Sequence, residues 1–163
     1  MKTIAPAPTR RDRLIRERVH DPYKTRLKLP EPTVCPRCRA VFEKGRWQWL
    51  DVAPAGANEE TCQACHRIKN DFPAGTVTFA GEFARSHRDE ILHLARHQEA
   101  EEKKDHPLHR IMGLEQRGDC WVLKTTDIHL PRRIGQAVQR AFKGYLDLHY
   151  EEGSGFVRVS WKR

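Results

Sequence analysis

The chain has 163 residues, 38% hydrophobic and 32% charged, with a formal net charge of +8. That length allows one ordinary domain, or a small metal module beside a compact α/β unit, and the low apolar fraction excludes a large core. The charge favours polyanionic partners, and no apolar run approaches the roughly 18 residues needed to cross a bilayer, so no membrane partner is expected.

The N-terminal MKTIAPAPTRR lacks the apolar stretch of a signal peptide, so the protein is expected in the reducing cytoplasm, where paired cysteines point to metal and not to disulfides. Residues 1–32 read as a basic extended arm. Nine Lys/Arg up to Lys28 face three acids, which puts about +6 of the +8 in this segment. Pro6, Pro8, Pro22, Pro30 and Pro32 break any long helix, leaving room for a short one over residues 10–19. Arg10, Arg11, Arg13, Arg16 and Arg18 are candidate phosphate contacts on this arm, which is otherwise a solvated tail.

Residues 33–70 read as a four-cysteine zinc ribbon. Two Cys-x-x-Cys pairs, Cys35/Cys38 and Cys62/Cys65, are separated by 23 residues. Each such turn aims two sulfurs at one point, and two turns complete a tetrahedral thiolate set. One structural zinc is the expected ion, with an iron–sulfur cluster as the rival. VFEKGRWQWL (41–50) has strand-like composition. Trp47 and Trp49, two apart, either fill the ribbon core or offer a stacking surface for bases. Arg37, Arg39, Lys44, Arg46, Arg67 and Lys69 surround the sulfurs, where they can meet phosphates or offset the charge of a four-thiolate centre. His66 is expected beside the ligands and not among them. Cys120 is expected as a small buried strand residue.

Residues 76–163 read as an α+β domain of order α-β-β-α-β-β, a sandwich with helices on one face. TVTF (76–79) is a short strand or an entry segment. A long helix is expected over residues 82–104, its apolar stripe running through Phe83, His87, Ile91, Leu94 and Ala95 and its EAEEKK end solvated. A hairpin pairs residues 110–116 with 120–126. A helix over residues 131–143 has Ile134, Val138 and Ala141 inward and Gly144 at its end. A second hairpin joins 145–150 to 156–161, with Val157, Val159 and Trp161 on the buried face.

The basic positions of this domain are Arg110, Arg132, Arg133, Arg140, Lys143, Arg158, Lys162 and Arg163. Arg132 and Arg133 fall in the first turn of the second helix, where positive charge opposes the helix dipole; a bound phosphate would remove that conflict. With Lys143 they complete the candidate nucleic-acid contacts of this domain. Nine histidines invite a search for an active site. His93 and His97 lie one helical turn apart but lack the Glu of a zincin, His106 and His109 flank Pro107, and Asp127 and His129 form a D-x-H pair. No nucleophile motif or P-loop accompanies them, so an enzyme is not expected, and neither is a small-molecule substrate.

The cysteine ribbon, HRDEILHLARH (87–97), HPLHRI (106–111) and TTDIHLPRRIGQAV (125–138), in this order, resemble an uncharacterised bacterial zinc-ribbon family. They also look like the N-terminal region of the large ribosomal subunit export adaptor, the nonsense-mediated-decay-three family. The resemblance covers residues 33–163. It implies contact with ribosomal RNA on the intersubunit side of the large subunit, in assembly, quality control or dormancy (hibernation), and no catalytic residue. The adaptor's additional cysteine pairs and downstream domains have no counterpart here, so nuclear export does not carry over. The expected function is therefore a ribosome-associated, RNA-binding zinc protein. The alternatives are a zinc-ribbon DNA-binding protein of transcription, disfavoured by the lack of a sequence-reading helix, and a metal-dependent enzyme using Asp127 and His129.

Overall fold

A computed structural model describes residues 22–23 and 28–163. The helix expected over residues 10–19, and the arm contacts Arg10, Arg11, Arg13, Arg16 and Arg18, lie outside them. Mixed α and β structure is organised around two sheets.

The first sheet belongs to the cysteine module. Strands β1 (Thr33–Val34), β2 (Val41–Glu43), β3 (Arg46–Gln48) and β4 (Asn58–Glu59) take the order β3-β2-β1-β4. The stretch of strand-like composition over 41–50 forms a hairpin of β2 and β3. Lys44 (φ 55) and Gly45 (φ 76) are both left-handed at its turn, and Glu31 accepts hydrogen bonds from both backbone N–H groups. Helix α1 (Gln63–Asn70), absent from the elements expected above, follows the second cysteine pair.

The second sheet has the order β6-β7-β5-β9-β8, from β5 (Gly75–Ala80), β6 (Ile111–Arg117), β7 (Cys120–Thr125), β8 (Tyr145–Glu151) and β9 (Phe156–Lys162). Both expected hairpins form. The expected α-β-β-α-β-β order is corrected by one element at its start: the segment around TVTF is a six-residue strand at the centre of the sheet, antiparallel to β7 and parallel to β9. The expected long helix is two pieces, α2 (Glu82–Ser86) and α3 (Arg88–Asp105). His87 leaves helical geometry at φ −113 between them, its ring stacked 3.8 Å from that of Phe83. Helix α4 (Leu130–Phe142) closes the layer and ends before Lys143 and Gly144, both at positive φ.

The core lies between this sheet and its helices. Val77 and Phe79 of β5 and Val157, Val159 and Trp161 of β9 point the same way, as period-two alternation requires, and are at most 2% exposed. Ile91 and Ala95 of α3 and Leu130, Ile134 and Val138 of α4 cover them. The inner face of α4 uses Ala137, one helical turn from Ile134, whereas Ala141 is exposed. On the opposite face of the sheet, buried Lys124 places its Nζ 2.6 Å from Asp71 Oδ1 and 2.7 Å from Glu115 Oε1. Asp71 caps α1, so this ion pair ties the cysteine module to the second sheet.

Helix α4 approaches the sheet closely at Gly135, where a Cβ would lie 2.6 Å from Val159 Cγ1 and 2.9 Å from Leu146 Cδ1. Alanine there gains up to about 1 kcal/mol of helix propensity. It must also displace the fully buried, χ1-restricted Val159, and such overpacking costs about 1–3 kcal/mol. Gly135→Ala is therefore expected to destabilise the fold by about 1 kcal/mol, read as a lower urea midpoint at unchanged m; an unchanged or higher midpoint would show that α4 can lift from the sheet without cost.

Candidate metal centre and its flank

Cys35 and Cys38 sit on a tight turn between β1 and β2. Cys35 N–H donates to Ala40 O at 2.8 Å, and Arg39 (φ 68) returns its N–H to Cys35 O at 2.9 Å. Cys62 and Cys65 sit at the start of α1. Cys62 is its N-cap, with Sγ accepting the Cys65 N–H at 3.5 Å, while the Cys62 N–H donates to Cys35 Sγ at 3.4 Å. One pair is thus presented by a turn and the other by a helix start, and backbone N–H groups reach sulfur both within the helical pair and across to the turn.

The four sulfurs lie within 4.8 Å of one another, close enough to hold a metal ion, and none forms a disulfide. Cys38 Sγ and Cys62 Sγ are 3.7 Å apart. A hydrogen bond from the Cys62 thiol holds Cys38 far below the ordinary thiol range, at about 4, and pushes Cys62 far above it. Burial raises Cys65 against the pull of Arg110. Without metal the group therefore keeps protons that a metal must displace, and loading releases them.

The side chain that completes this centre comes from the other half of the chain. Arg110, 8% exposed, donates from its guanidinium to Cys62 Sγ at 3.3 Å and Cys65 Sγ at 3.5 Å. Its Nε donates to Pro107 O at 2.8 Å and its backbone N–H to Thr126 Oγ1 at 2.9 Å. Burial opposes its charge, but the facing thiols raise its pKa overall. Expected among the basic positions of the second domain, Arg110 is a buried partner of the ligands. Leu108 and half-buried Trp47 pack on the same cluster. Trp49 lies beyond β3 and donates its indole N–H to Lys103 O at 2.6 Å.

The expected nucleic-acid contacts separate into groups. Arg37, Arg39 and Arg46 are exposed on the cysteine module, as are Lys44 and Lys69, and among the described residues none of these five side chains pairs with a carboxylate. Arg67 is different: it is 5% exposed, lies 4.8 Å above the Tyr23 ring and donates to Phe72 O. Arg132 and Lys143 are exposed, the latter with its Nζ donating to Arg140 O. Arg133 pairs with Glu102 Oε2 at 2.6 Å. The dipole conflict at the start of α4 is met from within, because Asp127 Oδ2 accepts the N–H groups of His129 at 2.7 Å and Leu130 at 3.0 Å.

The same corner gathers the scattered histidines. Glu102, expected in a solvated helix end, is 8% exposed and lies 3.0 Å from His109 Nδ1 and 3.9 Å from His106 Nε2. The His109 ring stands between those of His106, at 4.7 Å, and His129, at 5.5 Å. Asp127 Oδ1 is buried without a hydrogen-bond partner. Among the described residues, however, only the four cysteines bring three or more such ligand atoms within 4.8 Å of one another. Cys120 is half-buried in β7, and His66 is half-buried on α1, 6.4 Å from the Tyr23 ring.

No family model matches the chain, and neither a curated protein nor a solved structure shows significant similarity to it.

Arg110→Met keeps bulk and removes the two N–H···S bonds. Loss of such a partner costs about 10- to 100-fold in metal affinity, and that loss is the expected outcome in a chelator-competition titration, with Arg110→Lys recovering part of it. Equal retention by Arg110→Met would show that the guanidinium fills space only.

Proposed function

We propose that this chain is a ribosome-associated, RNA-binding zinc protein without catalysis of its own. The zinc assignment draws on sulfur spacing. A tetrahedral ion with metal–sulfur bonds of about 2.3 Å requires sulfurs about 3.8 Å apart, close to the 3.7 Å between Cys38 and Cys62. A cluster of several irons would hold its cysteines much farther apart. Four thiolates leave no position for a reacting water, which makes the zinc structural. With the divalent ion they make a centre of net charge −2, partly offset by Arg110.

The observation that carries the RNA reading is the set of accessible cations around this centre. Arg37, Arg39, Arg46 and Lys69 lie on the cysteine module without carboxylate partners among the described residues. Cations already paired inside a protein cannot release counterions from a polyanion, whereas unpaired ones can. Exposed Arg132 on α4 and Lys143 just beyond it extend the positive surface. The ribosome, its large subunit and a role in assembly, quality control or dormancy come from the family resemblance. The same cations would serve a ribbon protein on DNA, so polymer preference decides between the two.

Elemental analysis of the purified chain is expected to read one zinc per chain. In binding titrations against structured RNA, log affinity should fall linearly with log salt. Each phosphate contact contributes a slope of about 0.7 to 0.9, so neutralising Arg37, Arg39, Arg46 and Lys69 together is expected to lower it by about 3. Co-sedimentation with large ribosomal subunits, reversed by salt, is expected in lysate. Preference for duplex DNA over structured RNA at equal salt, or a slope indifferent to the four substitutions, would overturn the reading.

A further inference from the structure

The cysteine module contains a cavity that borders the metal centre at Cys62 and opens away from it. Its volume is about 310 Å³, the lower end of the range of small-ligand sites. Tyr23 and Trp47 supply aromatic walls, and Glu60, Thr61, Gln63 and His66 supply polar ones.

Both aromatic rings are braced from outside the cavity. Tyr23 has the Arg67 guanidinium 4.8 Å from its ring centre, Phe72 at 5.7 Å and its hydroxyl 3.0 Å from Asn70 Nδ2. Trp47 stands edge-on to Phe42 at 5.6 Å. Rigid rings accept a planar partner with little loss of rotamer freedom. The polar walls are unspent: among the described residues, the side chains of Glu60, Thr61, Gln63 and His66 make no hydrogen bond. Aromatic planes beside free donors and acceptors are what an unstacked nucleobase requires.

Glu60 selects among the bases. An ionised carboxylate is acceptor-only, with two oxygens side by side. Guanine presents two adjacent donors, N1–H and N2–H, on its pairing edge. Uracil sets carbonyl oxygens on either side of its single N–H and would be repelled. In the chain, Lys28 and exposed Arg46 adjoin Leu29 and Trp47 at the cavity, where a sugar–phosphate chain would leave it.

We propose that this cavity takes a single unstacked guanine of an RNA strand, stacked against Tyr23 and Trp47 and read by Glu60. This assignment rests on the RNA-binding reading above. It is tested with the full chain and two uridine-rich single-stranded RNAs of equal length, one carrying a single guanosine and the other inosine, which lacks the N2 amino group. The guanosine strand is expected to bind about tenfold more tightly, the worth of one hydrogen bond to a charged group. Glu60→Gln, an exposed near-isosteric change, should bring the ratio towards one, and photo-cross-links from a thioguanosine strand should map to Tyr23, Trp47 or His66. Equal affinity of the wild-type chain for both strands, or cross-links only elsewhere, would overturn the guanine site and leave RNA binding standing. No binding to either strand would likewise overturn the guanine site, while the RNA-binding reading stands or falls on the titration against structured RNA.

Discussion

One buried guanidinium joins the two halves of this molecule. Arg110 precedes β6, yet its fork ends on the sulfurs of Cys62 and Cys65, and its Nε and backbone N–H are fixed by Pro107 and Thr126. A charged group at 8% exposure survives only where negative charge compensates its lost hydration. A thiolate centre is such a partner. The cysteine cluster, the guanidinium and the sheet therefore depend on one another: protonated thiols would leave Arg110 poorly compensated, and loss of Arg110 would leave the sulfurs without their charged donor.

Much of this architecture is readable from residue patterns. The two hairpins and α4 follow from period-two and helical alternation ended by turn residues, and Val157, Val159 and Trp161 occupy the buried face as their spacing requires. The cysteine quartet is legible because its spacing is itself a geometric constraint. What escapes depends on distant chain. Strand β5 gains its central place from β9, which pairs Val77 with Val159, and no local window contains that information. Side-chain type also fails to tell an exposed cation from a buried one: Arg110, Arg67 and Arg46 look alike in a sequence, but only Arg46 faces solvent. Glu102 sits in a run of charges whose composition says surface, and it is buried because His109 and Arg133 converge on it.

The start of α4 shows how a local conflict can be met internally. Arginines in a first helical turn are unfavourable alone. Here Asp127 neutralises the free N–H groups and Glu102 takes Arg133, so the corner is satisfied by two carboxylates without a ligand. Arg133 is consequently less available than the cations of the cysteine module, where Arg37, Arg39 and Lys69 have no such acids among the described residues.

The placement of β9 beside β5 also sets a timetable. A chain emerging amino end first exposes all four cysteines, and can load metal, long before the strand that completes the sheet centre exists. Until then β5 has an open edge and α4 no finished floor to rest on. The cysteine pairs close over a shorter stretch of chain than β5 and β9 do, which makes their meeting the less costly step in chain entropy, and the guanidinium that joins the two halves lies between them in the sequence.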